Sequence, residues 1–191
     1  QSYAAQAGDT VLVHAAAGGV GLLLGQWLAA KGVRAIGTAG GPDKCALARE
    51  HGYAQVIDYR AGDFVAQVKD LTGGKGVAAV YDSVGKDTVL GSLDCLATFG
   101  TLVSFGQSSG SPDQARISHL ARGSLRLTRP SLFHFTARRD WLEGAARDLF
   151  EVIRKGQVKV RIDRELPLEQ AAEAHEALES RATTGSIVLK P

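Results

Sequence analysis

A run of small residues between an apolar strand and an apolar helix is the segment of this chain best suited to bind a phosphate. Segment 15–21 reads AAAGGVG; it follows an apolar strand pattern at 9–14 and leads into a helical pattern. Backbone N–H groups of such a turn can approach a pyrophosphate, and the positive end of the helix dipole favours its charge. Gly18 permits this approach, and Gly21 lets the helix pack closely on the strand. Because Ala16 stands where G-x-G-x-x-G has its first glycine, a tight turn without a ligand is the alternative.

The end of the second predicted strand has no carboxylate. NAD-binding folds place an Asp or Glu there, about 20 residues after the glycine turn, to bind the ribose 2′-hydroxyl. Here the corresponding segment 37–41 reads GTAGG, Lys44 follows one helical turn later, and Arg60 follows the third predicted strand. Since a carboxylate would repel a 2′-phosphate and a lysine would attract it, the pattern favours NADP(H) over NAD(H). The alternative explanation of Lys44 is a solvated position on a helix surface.

Strand-like and helix-like segments alternate with short connections over most of the chain. We predict strands at 9–15, 34–39, 55–58, 77–82, 101–106 and 125–132. We predict helices between them at 19–32, 43–52, 62–72, 86–98 and 114–123. The strands are continuous apolar runs, which is typical of parallel strands covered on both faces. The alternation predicts an α/β fold, a Rossmann doubly wound six-stranded parallel sheet with strand order 3-2-1-4-5-6.

The alternation changes near the C-terminus. The pattern there predicts a helix at 138–155, a strand at 158–162, a helix at 168–180 and a strand at 186–189. An apolar strand without a partner invites aggregation, so we expect the two late strands to pair with a segment outside this chain or to fold back onto a sheet edge. We therefore divide the chain into an NADP(H)-binding domain at 1–156 and a C-terminal helix and strand extension at 157–191.

Composition limits the other classes of function. The 191 residues include 22 basic and 20 acidic side chains, a net charge of +2, and this balance gives no reason to expect a nucleic-acid partner. No run of about 18 apolar residues occurs, so we expect no membrane partner and a cytoplasmic location. Cys45 and Cys95 are too far apart for a Cys-x-x-Cys site, and we predict no metal. The absence of methionine indicates a piece of a longer protein, with removal of an initiator methionine as the alternative.

The other titratable residues give no catalytic pattern. The histidines are scattered along the chain, and we expect each to be packed or solvent-facing rather than catalytic: His14, His51, His119, His134 and His175. Short-chain dehydrogenases need a Tyr-x-x-x-Lys pair, and no tyrosine of this chain has a lysine four residues later. That class of enzyme is therefore excluded.

Several short motifs stand in an order and spacing that resemble a known family. They are AxxGxxG at 15–21, Lys44, VIDYR at 56–60, VYDSVG at 80–85, VSFG at 103–106, TRPS at 128–131 and LESRA at 178–182. In this order they resemble the bacterial NADPH-dependent quinone oxidoreductases, of the zeta-crystallin branch of the medium-chain dehydrogenase/reductase superfamily. The resemblance extends from about Gly8 to Pro191, which is essentially the whole chain.

The resemblance implies a set of residues that bind NADP(H). They are Gly18, Gly19 and Val20 for the pyrophosphate, Lys44 and Tyr59 for the 2′-phosphate, Thr38 and Ser83 for the adenosine ribose and adenine, Phe105, Gly106 and Ser108 for the nicotinamide end, and Arg181 near the C-terminus. For two of them the alternatives are structural: Tyr59 as a half-buried aromatic at a strand end, and Arg181 as a helix C-cap.

The resemblance also implies the chemistry and the assembly. Reduced nicotinamide would pass a hydride to a quinone or a similar conjugated carbonyl without zinc, and no residue of this chain is predicted to be catalytic. Such enzymes have an N-terminal GroES-like domain that supplies half of the active site, so we expect this chain alone to be nearly inactive. Members of the family often dimerise through the strand that corresponds to 125–132, and the alternative for this segment is a plain buried edge strand. The alternatives are a related enoyl or alkenal reductase and a non-catalytic NADPH-binding module with a redox-sensing or structural role.

Overall fold

The structure, a computed structural model, describes residues 2–180 and 183–191. Its strands are β1 Thr10–Val13, β2 Arg34–Ala39, β3 Gln55–Asp58, β4 Val77–Asp82, β5 Leu96–Ser104, β6 Arg126–Thr128, β7 Ile162–Pro167 and β8 Ser186–Lys190. Its α-helices are α1 Gly19–Ala30, α2 Pro42–Glu50, α3 Phe64–Leu71, α4 Val89–Asp94, α5 Leu132–Thr136, α6 Arg139–Arg154 and α7 Ala171–Glu179. Short 3₁₀ segments at Ile117–Gly123 and Leu168–Gln170 precede β6 and α7. None of the helices in the described part of the chain has the length and apolar character that crossing a membrane requires.

Strands β1 to β6 form one sheet in the order β3-β2-β1-β4-β5-β6, and every neighbouring pair is parallel. This confirms the predicted fold class and strand order. Val11, Leu12, Val80 and Leu102 are fully buried in it, as continuous apolar strands require. Apolar residues of α1 and α2 complete the core on one face, and those of α3 and α4 complete it on the other. The loops that follow β1 and β4 therefore meet at the carboxyl edge of the sheet, where the strand order reverses.

Helix α1 packs directly against the turn that precedes it. It begins at Gly19, as the sequence predicts. A Cβ atom on Gly21 would overlap the carbonyl oxygen of Ala15 and lie 2.7 Å from the carbonyl oxygen of Ala16. The Tyr53 hydroxyl donates a hydrogen bond of 2.7 Å to the carbonyl oxygen of Gly21. The close approach of helix and strand predicted for Gly21 is thus a contact between backbones that a side chain would prevent.

The predicted helix at 86–98 is longer than the observed one. Helix α4 has six residues, because β5 begins at Leu96, where it pairs with Val77. Strand β5 therefore begins five residues before the predicted strand at 101–106. The predicted helix at 114–123 is also longer than the observed element, which is a 3₁₀ segment of seven residues, Ile117–Gly123.

The predicted strand at 125–132 is reduced to the three residues of β6. Pro130 has no N–H group to donate to a neighbouring strand, and α5 begins two residues later at Leu132. Leu125 is buried in the core, and Leu127 is 40% exposed on the edge strand. Most of the predicted edge strand is therefore loop and helix.

The predicted strand at 158–162 is wrong in position. The side-chain amide of Gln26 donates to the carbonyl oxygen of Lys159 at 3.0 Å and its oxygen accepts the Lys159 N–H at 2.8 Å. Because this backbone is bound to a side chain of α1, strand pairing starts only at Ile162. Strands β7 and β8 pair with each other in parallel, separately from the six-stranded sheet. Folding back onto the edge of that sheet is wrong for the described residues; pairing with a segment outside this chain stays a prediction.

Asp163 attaches the segment before β8 to β7. Its carboxylate accepts the backbone N–H and the hydroxyl of Thr184 at 2.9 and 2.8 Å. Burial acts to raise the pKa of Asp163, but the hydrogen bonds from Thr184 and Arg164 outweigh it and hold the pKa below its usual range. The segment places the Ser186 hydroxyl 3.2 Å from the position of a Cβ on Gly19. The C-terminal residues therefore reach the glycine turn.

Candidate functional site

A cleft of about 670 Å³ opens at the carboxyl edge of the sheet, where the loops after β1, β2 and β4 meet. Most of its lining comes from these loops and from the C-terminal segment: His14, Ala15, Ala17, Gly18, Thr38, Ala39, Gly40, Lys44, Tyr59, Phe64, Val84, Asp87, Thr88, Ser108, Leu178, Glu179 and Thr183. A crevice at this point of a doubly wound sheet is where such folds bind ligands. The cleft is therefore the candidate site.

The cleft brings together part of the predicted site. The predicted residues that line it are Gly18, Thr38, Lys44, Tyr59 and Ser108. The predicted residues Gly19, Val20, Ser83, Phe105 and Gly106 are not among its lining residues. Arg181 lies outside the described residues. The roles assigned to these side chains stay predictions.

The glycine turn leaves the start of α1 open. Gly18 is the N-cap residue of the helix and has no side chain with which to cap it. Ala15 takes the left-handed conformation with φ of 55°, and its carbonyl oxygen accepts the Gly18 N–H at 3.0 Å. Val20, in the first turn of α1, is 63% exposed. Uncapped N–H groups at a helix start, together with the helix dipole, favour an anion.

On the opposite side of the cleft, next to the end of β2, the Tyr59 side chain lies close to the backbone of Gly40. The Tyr59 hydroxyl lies 2.5 Å from the position that a Cβ on Gly40 would occupy, so a larger residue at that position would displace the ring. Asp58 accepts the backbone N–H groups of Gly41 and Arg60, each at 3.0 Å. These hydrogen bonds lower the pKa of Asp58. Asp58 thus fixes the turns after β2 and β3 in relation to each other.

The loops after β4 and β5 contact each other through their backbones. A Cβ on Gly106 would lie 2.7 Å from the carbonyl oxygen of Ser83, so the approach requires glycine. The same carbonyl oxygen accepts the Ser108 N–H at 3.1 Å, and the Phe105 N–H donates to the Asp82 carbonyl oxygen at 2.8 Å. These contacts place Ser108 at the cleft, whereas Ser83, Phe105 and Gly106 hold the loop in position without lining the cleft.

His14 is a cleft residue that the sequence prediction set aside. It follows β1 and is buried, in agreement with a packed histidine, but it also lines the cleft. Its Nδ1 lies 2.9 Å from the Thr38 hydroxyl and its Nε2 lies 3.0 Å from the Ser92 hydroxyl. The signal that could have identified it is a polar residue at the end of each of three neighbouring strands: His14, Thr38 and Asp82.

The C-terminal extension forms one wall of the cleft. Leu178 and Glu179 at the end of α7 and Thr183 before β8 line it. The LESRA motif at 178–182 indicated this segment, although only Arg181 was assigned a role. Asp87 and Thr88 from the loop after β4 are further lining residues without a predicted role.

The described residues do not fit a metal site. Residues 2–180 and 183–191 contain no group of three or more His, Cys, Asp or Glu that could hold a metal ion. Cys45 and Cys95 are buried free thiols. Burial raises the pKa of the Cys95 thiol to about 12 and also raises that of Cys45, which disfavours the thiolate that a metal needs.

Sequence comparison finds relatives that are named as oxidoreductases. The model of a family described as zinc-binding dehydrogenase matches residues 51–189. A quinone oxidoreductase from Pseudomonas aeruginosa is 46% identical over the whole of this chain and 59% of its own length. A 2-haloacrylate reductase from a Burkholderia species is 40% identical over the whole of this chain and 58% of its own length. The chain therefore spans about three-fifths of these curated relatives.

Structural comparison agrees. The crystal structure of an Escherichia coli quinone oxidoreductase complexed with NADPH has a TM-score of 0.96 and 46% identity, over the whole of this chain and 60% of that one. A Pseudomonas syringae quinone oxidoreductase also has a TM-score of 0.96, at 41% identity. The matches confirm the resemblance to quinone oxidoreductases. The chain therefore belongs to the zinc-binding dehydrogenase family, within the medium-chain dehydrogenase/reductase superfamily.

Proposed function

We propose that this chain is the NADP(H)-binding part of an oxidoreductase that reduces quinones or related conjugated carbonyls. The observation that carries the proposal is the cleft, which joins an uncapped helix start at one side to Lys44 and Tyr59 at the other. The segment 37–41 between them holds no carboxylate that would repel a 2′-phosphate. The similar quinone oxidoreductase from Escherichia coli forms a complex with NADPH, which supports the same cofactor here. We further propose the division into a binding domain at 1–156 and an extension at 157–191.

The residues present supply groups that suit the phosphates of the cofactor. Backbone N–H groups of Gly19 and Val20 would bind the pyrophosphate, because they stand at the positive end of the α1 dipole. Gly18, whose own N–H is bound to the carbonyl oxygen of Ala15, would allow the pyrophosphate to come close to the turn. Lys44 would pair with the 2′-phosphate, and the Tyr59 hydroxyl would donate to it. Other predicted residues would complete the binding: Thr38 and Ser83 at the adenosine, Phe105, Gly106 and Ser108 at the nicotinamide, and Arg181 from the C-terminal segment.

The chemistry follows from the cofactor class. When bound, the nicotinamide supplies a hydride from its C4 atom. The residues of this chain bind and orient the cofactor and exclude water from it. No described residue is assigned as a general acid or base. The family is described as zinc-binding, but residues 2–180 and 183–191 offer no group of side chains that could hold a metal ion.

The relatives narrow the class of acceptor. One is named quinone oxidoreductase and another 2-haloacrylate reductase. Quinones and acrylates share a carbon–carbon double bond conjugated to a carbonyl, which is the group expected to accept the hydride. These names favour an enzyme over a non-catalytic NADPH-binding module. The predicted alternative of an enoyl or alkenal reductase uses the same class of acceptor.

The proposal is tested by the cofactor preference of Lys44→Ala. We expect about tenfold to hundredfold weaker NADPH binding with little change for NADH, because a hydrogen bond to a charged group contributes about 1.5–3 kcal/mol. Both cofactors are titrated against this chain and followed by nicotinamide fluorescence. Lys31→Ala is the matched control, since this exposed lysine ends α1 at the opposite edge of the sheet. Equal loss of NADPH and NADH affinity in the Lys44 variant would contradict the assignment of the 2′-phosphate site.

We also propose a homodimer through the edge strand β6. This strand pairs only with β5 among the described residues, so its other edge has no strand partner there and could pair with a second copy. Sedimentation velocity of this chain is expected to give a dimer, and Leu127→Arg a monomer. Ile117→Arg, at an 88% exposed position before β6, is expected to leave the dimer intact. A wild-type monomer at the concentrations of the binding titrations would contradict this proposal. A cytoplasmic location stays a prediction.

A further inference from the structure

A line of buried hydrogen bonds runs from the adenosine side of the cleft to the loop after β4. The Thr38 hydroxyl lies 2.9 Å from His14 Nδ1, and His14 Nε2 lies 3.0 Å from the Ser92 hydroxyl. The Ser92 hydroxyl donates to Asp82 Oδ2 at 2.8 Å. All four side chains are at most 2% exposed. The line connects β1, β2, β4 and α4, and two of its members, His14 and Thr38, also line the cleft.

The carboxylate at one end sets the direction of every bond in the line. Asp82 can only accept, so the single proton of the Ser92 hydroxyl is used toward Asp82. Ser92 must then accept from His14, which places the ring proton on Nε2. The other ring nitrogen, Nδ1, is left with a lone pair and accepts the proton of the Thr38 hydroxyl. The direction of each hydrogen bond follows from whether the partner before it must donate or accept.

The direction depends on a neutral imidazole, and the surroundings of His14 favour one. A charged ring would carry a proton on both nitrogens and would donate to Thr38 instead. Burial lowers the pKa of His14, while the charge of Asp82 acts in the opposite direction. Phe64 packs against the His14 imidazole in an edge-to-face arrangement, with the ring centres 5.1 Å apart. The ring is thus held between an apolar cover and two hydroxyl groups.

We propose that His14 is a positioning residue. Together with Ser92 and Asp82, it keeps the Thr38 hydroxyl proton in the hydrogen bond to His14 Nδ1, so that Thr38 can only accept hydrogen bonds from a ligand in the cleft. This inference rests on the proposed function. The ligand group that meets Thr38 must then be a donor, and the adenosine ribose of NADPH has one free hydroxyl, at the 3′ position. An acceptor in that place would face the lone pairs of Thr38 and be rejected.

The first test needs neither a ligand nor a variant. Long-range proton–nitrogen correlation spectra of the chain with labelled histidine distinguish the two neutral tautomers and the charged ring. We expect the Nε2–H tautomer for His14 in the free protein. The Nδ1–H tautomer, or a charged ring at neutral pH, would overturn the proposal. This result is independent of whether the chain binds NADPH.

Asp82→Asn tests the cause of the direction. The oxygen of the new side chain can keep the backbone N–H groups of Val84 and Gly85, which Asp82 Oδ1 accepts at 2.8 and 3.0 Å. Its NH₂ group would then donate to Ser92, Ser92 would donate to His14 Nε2, and the ring proton would move to Nδ1. We expect this reversal in the same spectra. A folded variant that keeps the Nε2–H tautomer would overturn the proposal. If Asp82→Asn does not fold, Ser92→Ala serves instead, because it removes the oxygen that accepts the Nε2 proton of His14.

The second test measures the consequence for binding. The probe is the NADPH analogue with fluorine in place of the 3′-hydroxyl, which is similar in size but cannot donate. We expect the wild-type chain to bind it about tenfold more weakly than NADPH, and Asp82→Asn to reduce the difference to about threefold or less, because Thr38 can then donate to fluorine. Equal wild-type affinity for the two would overturn the role of Thr38. Failure of NADPH itself to bind would instead overturn the proposed function, and the tautomer spectra would still report on His14.

Discussion

Gly21→Ala is expected to weaken NADPH binding more than about tenfold and to lower the free energy of unfolding by about 1–3 kcal/mol. The added methyl group would overlap the carbonyl oxygen of Ala15 and lie 2.7 and 2.8 Å from the carbonyl oxygen and carbon of Ala16. All of these atoms belong to the backbone, so no side-chain rotation relieves the overlap. The helix must move away from the turn, and its first N–H groups then move away from the pyrophosphate that they are proposed to bind. NADPH titration and urea unfolding measure the two effects.

The same substitution at another helical glycine provides the control. Gly144 lies in α6, and a Cβ there meets nothing within 4 Å. Gly144→Ala is therefore expected to keep the wild-type affinity and to be neutral or stabilising by up to about 1 kcal/mol, since alanine favours the helix. Wild-type affinity in Gly21→Ala would mean that the close packing of α1 on the turn is not needed for binding.

The parallel sheet could be predicted because its strands have an unmistakable composition. Val11, Leu12 and Val80 lie in runs without polar alternation, and such runs occur where both faces are covered. The start of α1 at Gly19 could be predicted as well, since an apolar helical pattern follows directly on small residues. These features depend on neighbours along the chain.

The ends of other elements depended on contacts that the pattern does not contain. The segment at 158–162 has the composition of a strand, yet Lys159 is bound by the side chain of Gln26, 133 residues away. The length of α4 was overestimated because β5 begins at Leu96, where its partner Val77 starts β4. In both cases a distant partner decided the local structure.

Part of the candidate site could likewise be predicted from the sequence, and part of it could not. Lys44 and Tyr59 follow strand ends closely, so a motif could indicate them, and both line the cleft. The line from Thr38 through His14 to Asp82 joins residues from three strands that are neighbours only in the folded sheet. The strand order 3-2-1-4-5-6 was predicted, and it already places the ends of β2, β1 and β4 side by side. The strand order does not indicate which of these side chains form hydrogen bonds with each other.

Asp82→Ala is expected to lower the free energy of unfolding by about 3–5 kcal/mol, a larger loss than that expected for Gly21→Ala. The carboxylate of Asp82 accepts hydrogen bonds from the backbone N–H groups of Val84 and Gly85 and from the hydroxyls of Thr88 and Ser92, at 2.8 to 3.0 Å. Its removal leaves buried donors without an acceptor, and each such group costs about 1–3 kcal/mol. Urea unfolding of the variant and the wild-type chain measures the difference.

The control for this change is an aspartate whose loss leaves nothing buried and unpaired. Asp94, at the end of α4, pairs with Arg122 at the surface, and its side chain is 39% exposed. Asp94→Ala is therefore expected to cost less than about 1 kcal/mol in urea unfolding. A cost of the same size for Asp82→Ala would mean that water replaces the carboxylate in the loop after β4. The loop would then have no need of Asp82 to hold its place beside the cleft, and Val84, Asp87 and Thr88 would owe their positions to the contacts with the loop after β5.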